Sequence, residues 1–225
     1  MLHAVAIAPN GRTTLQLNKL MKREQIEILE HYFPTNSIPL LIPLIEEASF
    51  NLSFTKPRNS KLGDFRPPCR LTRLCTITIN GNLNQYQMLV TFLHEYAHYK
   101  VFKKYLRHCK PHGEEWKHEF TLATQPFLND DIFPQPLLNA LRYFMTNPKA
   151  GATTDVELAR TMALYDNQPN HQLIVDEVPM KTVFTLKNGH KFIKISKLRK
   201  RYKCRSLDNG NIYLVSPIAE VMSIE

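Results

Sequence analysis

The sequence predicts an α+β fold, with a mainly helical domain carrying a small edge sheet and then a small C-terminal module of β-hairpins. Two changes along the chain predict it. Up to about residue 166 the apolar residues recur mostly at helical spacing, whereas beyond it they alternate with polar ones around two Asn-Gly turns. Charge changes too: residues 181–225 hold ten Lys/Arg against three Asp/Glu, so +7 of the net +9 lies in the last fifth of the chain. Residues 1–180 are nearly balanced at +2. With 225 residues, 43% hydrophobic and 22% charged, the composition is that of a globular protein and excludes whole-chain disorder or a fibrous rod. The chain therefore divides into a domain at 1–166, a linker at 167–180 around Pro169, and a basic module at 181–225.

Taken in order, Leu17 to Phe33 has apolar residues at helical spacing and stops before Pro34, which predicts an amphipathic helix. A short helix follows over Ile38 to Ala48, and the alternation of Phe50, Leu52 and Phe54 predicts a strand. Lys56 to Pro68, with three prolines and a glycine, reads as loop, and Leu74 to Ile79 as a strand ended by Asn80-Gly81-Asn82. Asn84 with Gln87 forms a capping pattern for a helix entering the core over Met88 to Leu106. Helices are expected at Glu114 to Thr124 and Leu137 to Met145, and from a capping box of Thr154 with Glu157 to about Tyr165. Val183 to Lys187 and Lys191 to Ile195 flank Asn188-Gly189, and Tyr202 to Leu207 and Ile212 to Val215 flank Asn209-Gly210, which predicts two hairpins.

Cys69, Cys75, Cys109 and Cys204 form no C-x-x-C pair, which fits a reducing compartment. The segment Met1 to Pro9 lacks the basic start and apolar length of a signal peptide, and no run of about 18 apolar residues occurs. The expectation is a soluble cytoplasmic protein with no membrane partner.

The chemistry lies in His94-Glu95-Tyr96-Ala97-His98, an H-E-x-x-H pattern inside a predicted helix. Residues four apart share a helical face, so both imidazoles can bind one Zn²⁺ while Glu95 lies beside its open position. There Glu95 can take a proton from the zinc-activated water and pass it to the leaving amine. A catalytic zinc normally has three protein ligands. The metzincin extension is absent, because Val101 stands where that pattern has Gly. His112, in the reversal Pro111-His112-Gly113, is a candidate for the third ligand, with His118, Glu115, Glu119, His108 and Cys109 as rivals.

From about His31 to Phe120 the chain resembles the SprT-like, or Spartan-type, metallopeptidases. The resemblance rests on Lys56 to Arg66, on a strand ending Ile77-Thr78-Ile79-Asn80, on the His94 to His98 motif, and on His112-Gly113-x-x-Trp116. It implies a zincin-like domain with one catalytic zinc held by His94, His98 and His112, and Glu95 as general base and acid. It also implies an edge strand, expected at Thr76 to Asn80, that binds an extended peptide by strand addition. Members of the family include DNA-dependent proteases that degrade proteins crosslinked to DNA. A four-cysteine zinc ribbon often follows their protease domain; here only Cys204 stands in the hairpins, so the module resembles a degenerate ribbon.

From Lys181 to Arg205 there are ten cations and no acid, interleaved with Phe184, Phe192 and Tyr202. Cations track phosphates and exposed aromatic rings stack on unpaired bases, so Lys191, Lys194, Lys197, Arg199, Lys200, Arg201 and Lys203 are candidates for contact with single-stranded DNA or other nucleic acid. The competing view is a solvated basic face whose rings form the module's core. The expected function is a zinc-dependent endopeptidase acting on protein or peptide. Its alternatives are a non-enzymatic, zinc-containing nucleic-acid-binding protein, or a peptidase whose basic module docks proteins.

Overall fold

A computed structural model describes residues 6–8, 12–15, 22–47, 49–58, 61–70, 73–105, 109–149, 155–166 and 173–225. The expected helix start at Leu17, the capping residue Thr154, the candidate ligand His108 and linker residues 167–172 lie outside that set. The fold is α+β, with six α-helices and two sheets among the described residues. The chain forms two compact units, Met1–Ala152 with Tyr165–Asn167, and Thr153–Leu164 with Gln168–Glu225.

In the first unit, β1 (Ala6–Ala8) and β2 (Arg12–Leu15) precede α1 (Arg23–Tyr32) and α2 (Ile38–Glu47). α1 ends where expected: Phe33, forced into extended backbone before Pro34, still bonds its N–H to Leu29 O. β3 (Phe50–Thr55), β4 (Gly63–Arg66) and β5 (Cys75–Asn80) complete a sheet in the order β1-β2-β3-β5-β4. β3 and β5 are parallel and the other pairs antiparallel. α3 (Gln85–Lys104), α4 (Glu114–Thr124) and α5 (Gln135–Met145) follow.

The strand expected at the edge is interior. β5 is paired on both sides, and the edge beyond it is β4, within the stretch that reads as loop. Gly63-Asp64-Phe65-Arg66 has little strand propensity of its own; pairing with Thr76 to Ile79 makes it a strand. A reciprocal clamp fixes its approach. Arg58 donates Nε to Asn80 Oδ1 (2.8 Å) and an η nitrogen to Thr78 Oγ1 (3.0 Å), while Asn80 Nδ2 donates to the carbonyls of Arg58 and Lys61, each at 3.0 Å. The Asn80 N–H reaches Leu62 O at 2.8 Å.

α3 is the axis of this unit. Asn84 caps it by accepting from the Gln87 N–H at 2.8 Å. Its residues Met88 to Leu93 are all buried, and Phe92 and Tyr96 meet Phe50 at ring distances of 6.3 and 6.2 Å. A stretch of helix buried on every face must sit inside a core, and α3 packs on β4, β5 and α4.

The second unit contains α6 (Val156–Ala163) and an antiparallel sheet of β6 (Val183–Leu186), β7 (Lys191–Lys197), β8 (Tyr202–Ser206), β9 (Ile212–Val215) and β10 (Val221–Ile224), in the order β10-β6-β7-β8-β9. α6 is capped by Asp155, whose side chain accepts from the Leu158 N–H. The two expected hairpins are present and join into one sheet, to which β10 adds a strand not expected from the sequence. Gly189 (φ 84°) and Gly210 (φ 72°) supply the left-handed backbone of their turns. Val175 and Val178, in the expected linker, are buried with Phe184, Phe192, Tyr202, Cys204, Val215 and Val221.

Lys194 is 2% exposed. Its ammonium donates to the carbonyls of Val175 (2.6 Å), Asp176 (3.2 Å) and Val178 (2.6 Å) and lies 3.8 Å from the Tyr202 ring centroid. Burial pushes its pKa down, opposed by Asp176 and Cys204. Lys194→Met leaves those carbonyls without their donor and should destabilise the second unit by about 2–4 kcal/mol, read as a lower denaturation midpoint. An unchanged midpoint would show that the cage contributes nothing.

Candidate metal centre

His94 and His98 lie one turn apart on α3, and His112 comes to them from the reversal between α3 and α4. In that turn the Gly113 N–H bonds to Lys110 O at 2.8 Å, and His112 has a φ of 55°. A left-handed non-glycine residue costs roughly 1 kcal/mol or more, so the surrounding structure is holding the side chain in an unfavourable backbone state. The result is three Nε2 atoms in a tight triangle: 3.3 Å between His94 and His98, 3.0 Å between His98 and His112, and 3.2 Å between His112 and His94.

That triangle fits a metal ion better than it fits hydrogen bonds. A neutral imidazole Nε2 is either a donor or an acceptor, so among three such atoms at least one pair must face like to like. One tetrahedral Zn²⁺ with bonds of 2.0–2.1 Å would instead place its nitrogen ligands roughly 3.3 Å apart. Burial and the neighbouring imidazoles push the His94 pKa down to about 3 and that of His98 to about 4; burial also lowers that of His112. The rings are therefore held neutral at pH 7, the state a metal requires. Among the described residues no other group of three His, Cys, Asp or Glu side chains could hold a metal, so Glu115, His118, Glu119 and Cys109 stand outside the cluster. Glu119 is engaged elsewhere, with Lys104 Nζ at 2.7 Å and the Tyr105 hydroxyl at 3.3 Å.

Trp116 backs the whole cluster. Its ring lies 4.7, 5.6 and 4.8 Å from those of His94, His98 and His112, its indole N–H donates to His94 O at 3.3 Å, and Phe120 stacks behind it. Residues 26–129 match the model of the SprT-like family. Over that span the chain is similar to the SprT-like family. The match runs from within α1 to just beyond α4 and takes in His94, Glu95, His98 and His112. No curated protein and no solved structure matches the chain.

Within the matched segment Glu95 is 7% exposed and lies under β4. Its carboxyl is pushed up to about 7, by burial first and then by Asp64, while the Phe65 backbone N–H, Lys61 and Arg58 pull the other way. The β4 residues around Glu95 are not singled out for any role by sequence reasoning, although Gly63 and Asp64 belong to the stretch that carries the family resemblance.

The basic candidates belong to the second unit. Lys194 is removed from the set, because its ammonium is buried in the carbonyl cage. Phe184, Phe192 and Tyr202 are core residues, so these rings are not free to stack on bases. The positive stretch is also less uncompensated than the sequence implies: Lys187 pairs with Glu220 (2.6 Å), Lys191 with Glu225 (2.5 Å) and Lys197 with Asp176 (3.4 Å). Arg199, Lys200, Arg201 and Lys203 are exposed. Cys204 is a buried thiol pushed up to about 11, chiefly by burial, and packs as a neutral side chain.

His112→Ala should abolish stoichiometric zinc binding, measured by metal analysis after dialysis, because two imidazoles remain; full retention would place the third ligand elsewhere. The pKa of Glu95 gives a second prediction. Its folded value of about 7 exceeds the ordinary 4.5, so between those pH values the folded metal-free protein binds the extra proton and loses stability as pH rises. At pH 8 metal-free Glu95→Gln should be more stable than metal-free wild type, by up to about 3 kcal/mol, and at pH 4 the gap should close. Chemical denaturation at both pH values measures it.

Proposed function

We propose that the first unit is a zinc-dependent endopeptidase with a zincin-like catalytic domain, and that the second is its basic accessory module. The observation that carries this reading is the triangle of Nε2 atoms on an H-E-x-x-H helix within a SprT-like segment. His94, His98 and His112 would hold the ion, and its three-residue donor set leaves a tetrahedral position for substrate or water. Zinc there would supply a Lewis acid for the scissile carbonyl and lower the pKa of the attacking water.

Glu95 then accepts the water's proton and delivers it to the amine as the peptide bond breaks. A base with a pKa near neutrality both accepts and returns a proton readily, and burial beside Asp64 moves Glu95 into that range. β4 is an edge of its sheet, so its outer N–H and C=O groups can pair with an extended peptide. The reading places the protein in the cytoplasm, where the buried Cys75 and Cys204 stay thiols.

Glu95→Gln should retain one zinc per chain and lose at least about 100-fold in cleavage of an unfolded protein substrate. Cleavage at the wild-type rate would place the base elsewhere. A second reading, that the module also contacts nucleic acid through phosphates, rests on the exposed Arg199, Lys200, Arg201 and Lys203. Salt-dependent binding to single-stranded DNA should weaken when these four become Ala. Absence of binding at low salt removes nucleic acid from the account and leaves protein docking for the module.

A further inference from the structure

We infer that Gly63 is a positioning residue for Glu95, resting on the peptidase reading above: β4 lacks a side chain at this one point so that the carboxylate can stand between strand and helix. Thr91, Glu95, Tyr99 and Phe102 form one stripe of α3, at spacings of four, four and three. Two residues of strand span about 6.6 Å and one helical turn about 5.4 Å, so a strand laid along such a stripe meets it with alternate residues. Phe65 meets Tyr99 and Phe102, at ring distances of 6.4 and 5.9 Å. Gly63 meets Thr91 and Glu95.

A Cβ at position 63 would lie 2.7 Å from Glu95 Oε1, 2.8 Å from Glu95 Cγ and 2.8 Å from Thr91 Cγ2, all closer than van der Waals contact. The requirement is for space, since Gly63 is not among the residues of positive φ. Something must yield on substitution. β4 is tied down by its pairing to β5 and by the Arg58–Asn80 clamp, and Thr91 is buried on α3. The group with rotational freedom left is the Glu95 side chain, whose carboxylate also accepts the Phe65 N–H from the same strand. An alanine at 63 therefore moves the general base off the bond it serves, while the three atoms nearest the added one belong to Glu95 and Thr91 and none to His94, His98 or His112.

The test begins with wild type and Glu95→Gln on a labelled unfolded protein. Absent or Glu95-independent cleavage overturns the peptidase reading and this inference with it. Given Glu95-dependent cleavage, Gly63→Ala should keep one zinc per chain and lower kcat about 10- to 100-fold with KM changed less than about threefold. In a Glu95→Asp background, where the shorter side chain withdraws from position 63, the further loss caused by Gly63→Ala should shrink to about threefold or less. Full activity in Gly63→Ala, or the same fractional loss in both backgrounds, overturns the inference and leaves the peptidase reading standing. If Gly63→Ala does not fold, Gly63→Ala with Thr91→Ser removes the Cγ2 contact and is read in the same way. Loss of folding or of zinc in both variants also overturns it, because Gly63 then supports the domain as a whole.

Discussion

Three imidazole nitrogens within 3.3 Å of one another, with protons to satisfy at most two of the three contacts, form an arrangement that could hold a cation at its centre. Much of the first unit serves to hold it. α3 carries His94 and His98 just beyond its buried stretch Met88–Leu93, Trp116 fills the space behind all three rings, and the turn at Lys110–Gly113 accepts a left-handed histidine that brings His112 back to them. Burial then keeps the rings neutral, which turns a polar cluster into a set of lone pairs.

The same burial acts on Glu95 in the opposite chemical sense. Low polarity disfavours charge on imidazole and carboxyl alike, so the histidines lose their protons and the neighbouring acid keeps its own nearer to neutrality. One environment thus prepares two kinds of group. β4 adds the directional part, with a backbone N–H for the carboxylate and a bare Cα over it.

Local patterns were legible in the sequence and long-range pairings were not. The i, i+4 histidines, the Asn84 cap and the Asn-Gly turns each act within a few residues, and each stands where its pattern places it. The approach of His112 was legible from its reversal, although its positive φ was not. β4 escaped because Gly63 to Arg66 has no strand pattern; its strand character comes from β5, and with it the edge moved from Thr76–Asn80 to Gly63–Arg66. Lys194 carried a signal that its charge concealed: it stands two residues from the buried Phe192 on β7, and in a strand that spacing means the same face. β10 and the buried Val175 and Val178 depend on pairing and packing with segments that no short window contains.

The caged ammonium of Lys194 has a consequence for how the two units answer to their surroundings. A bound metal exchanges with the medium, and a unit built on one shares the fate of the cell's metal supply. A charge tethered to the backbone by four methylenes cannot diffuse away. Scarcity of zinc would empty the histidine triangle of the first unit while the core beside Val175, Val178 and Tyr202 kept its cation, so the second unit's shape is insulated from the element on which the first unit's chemistry is proposed to run.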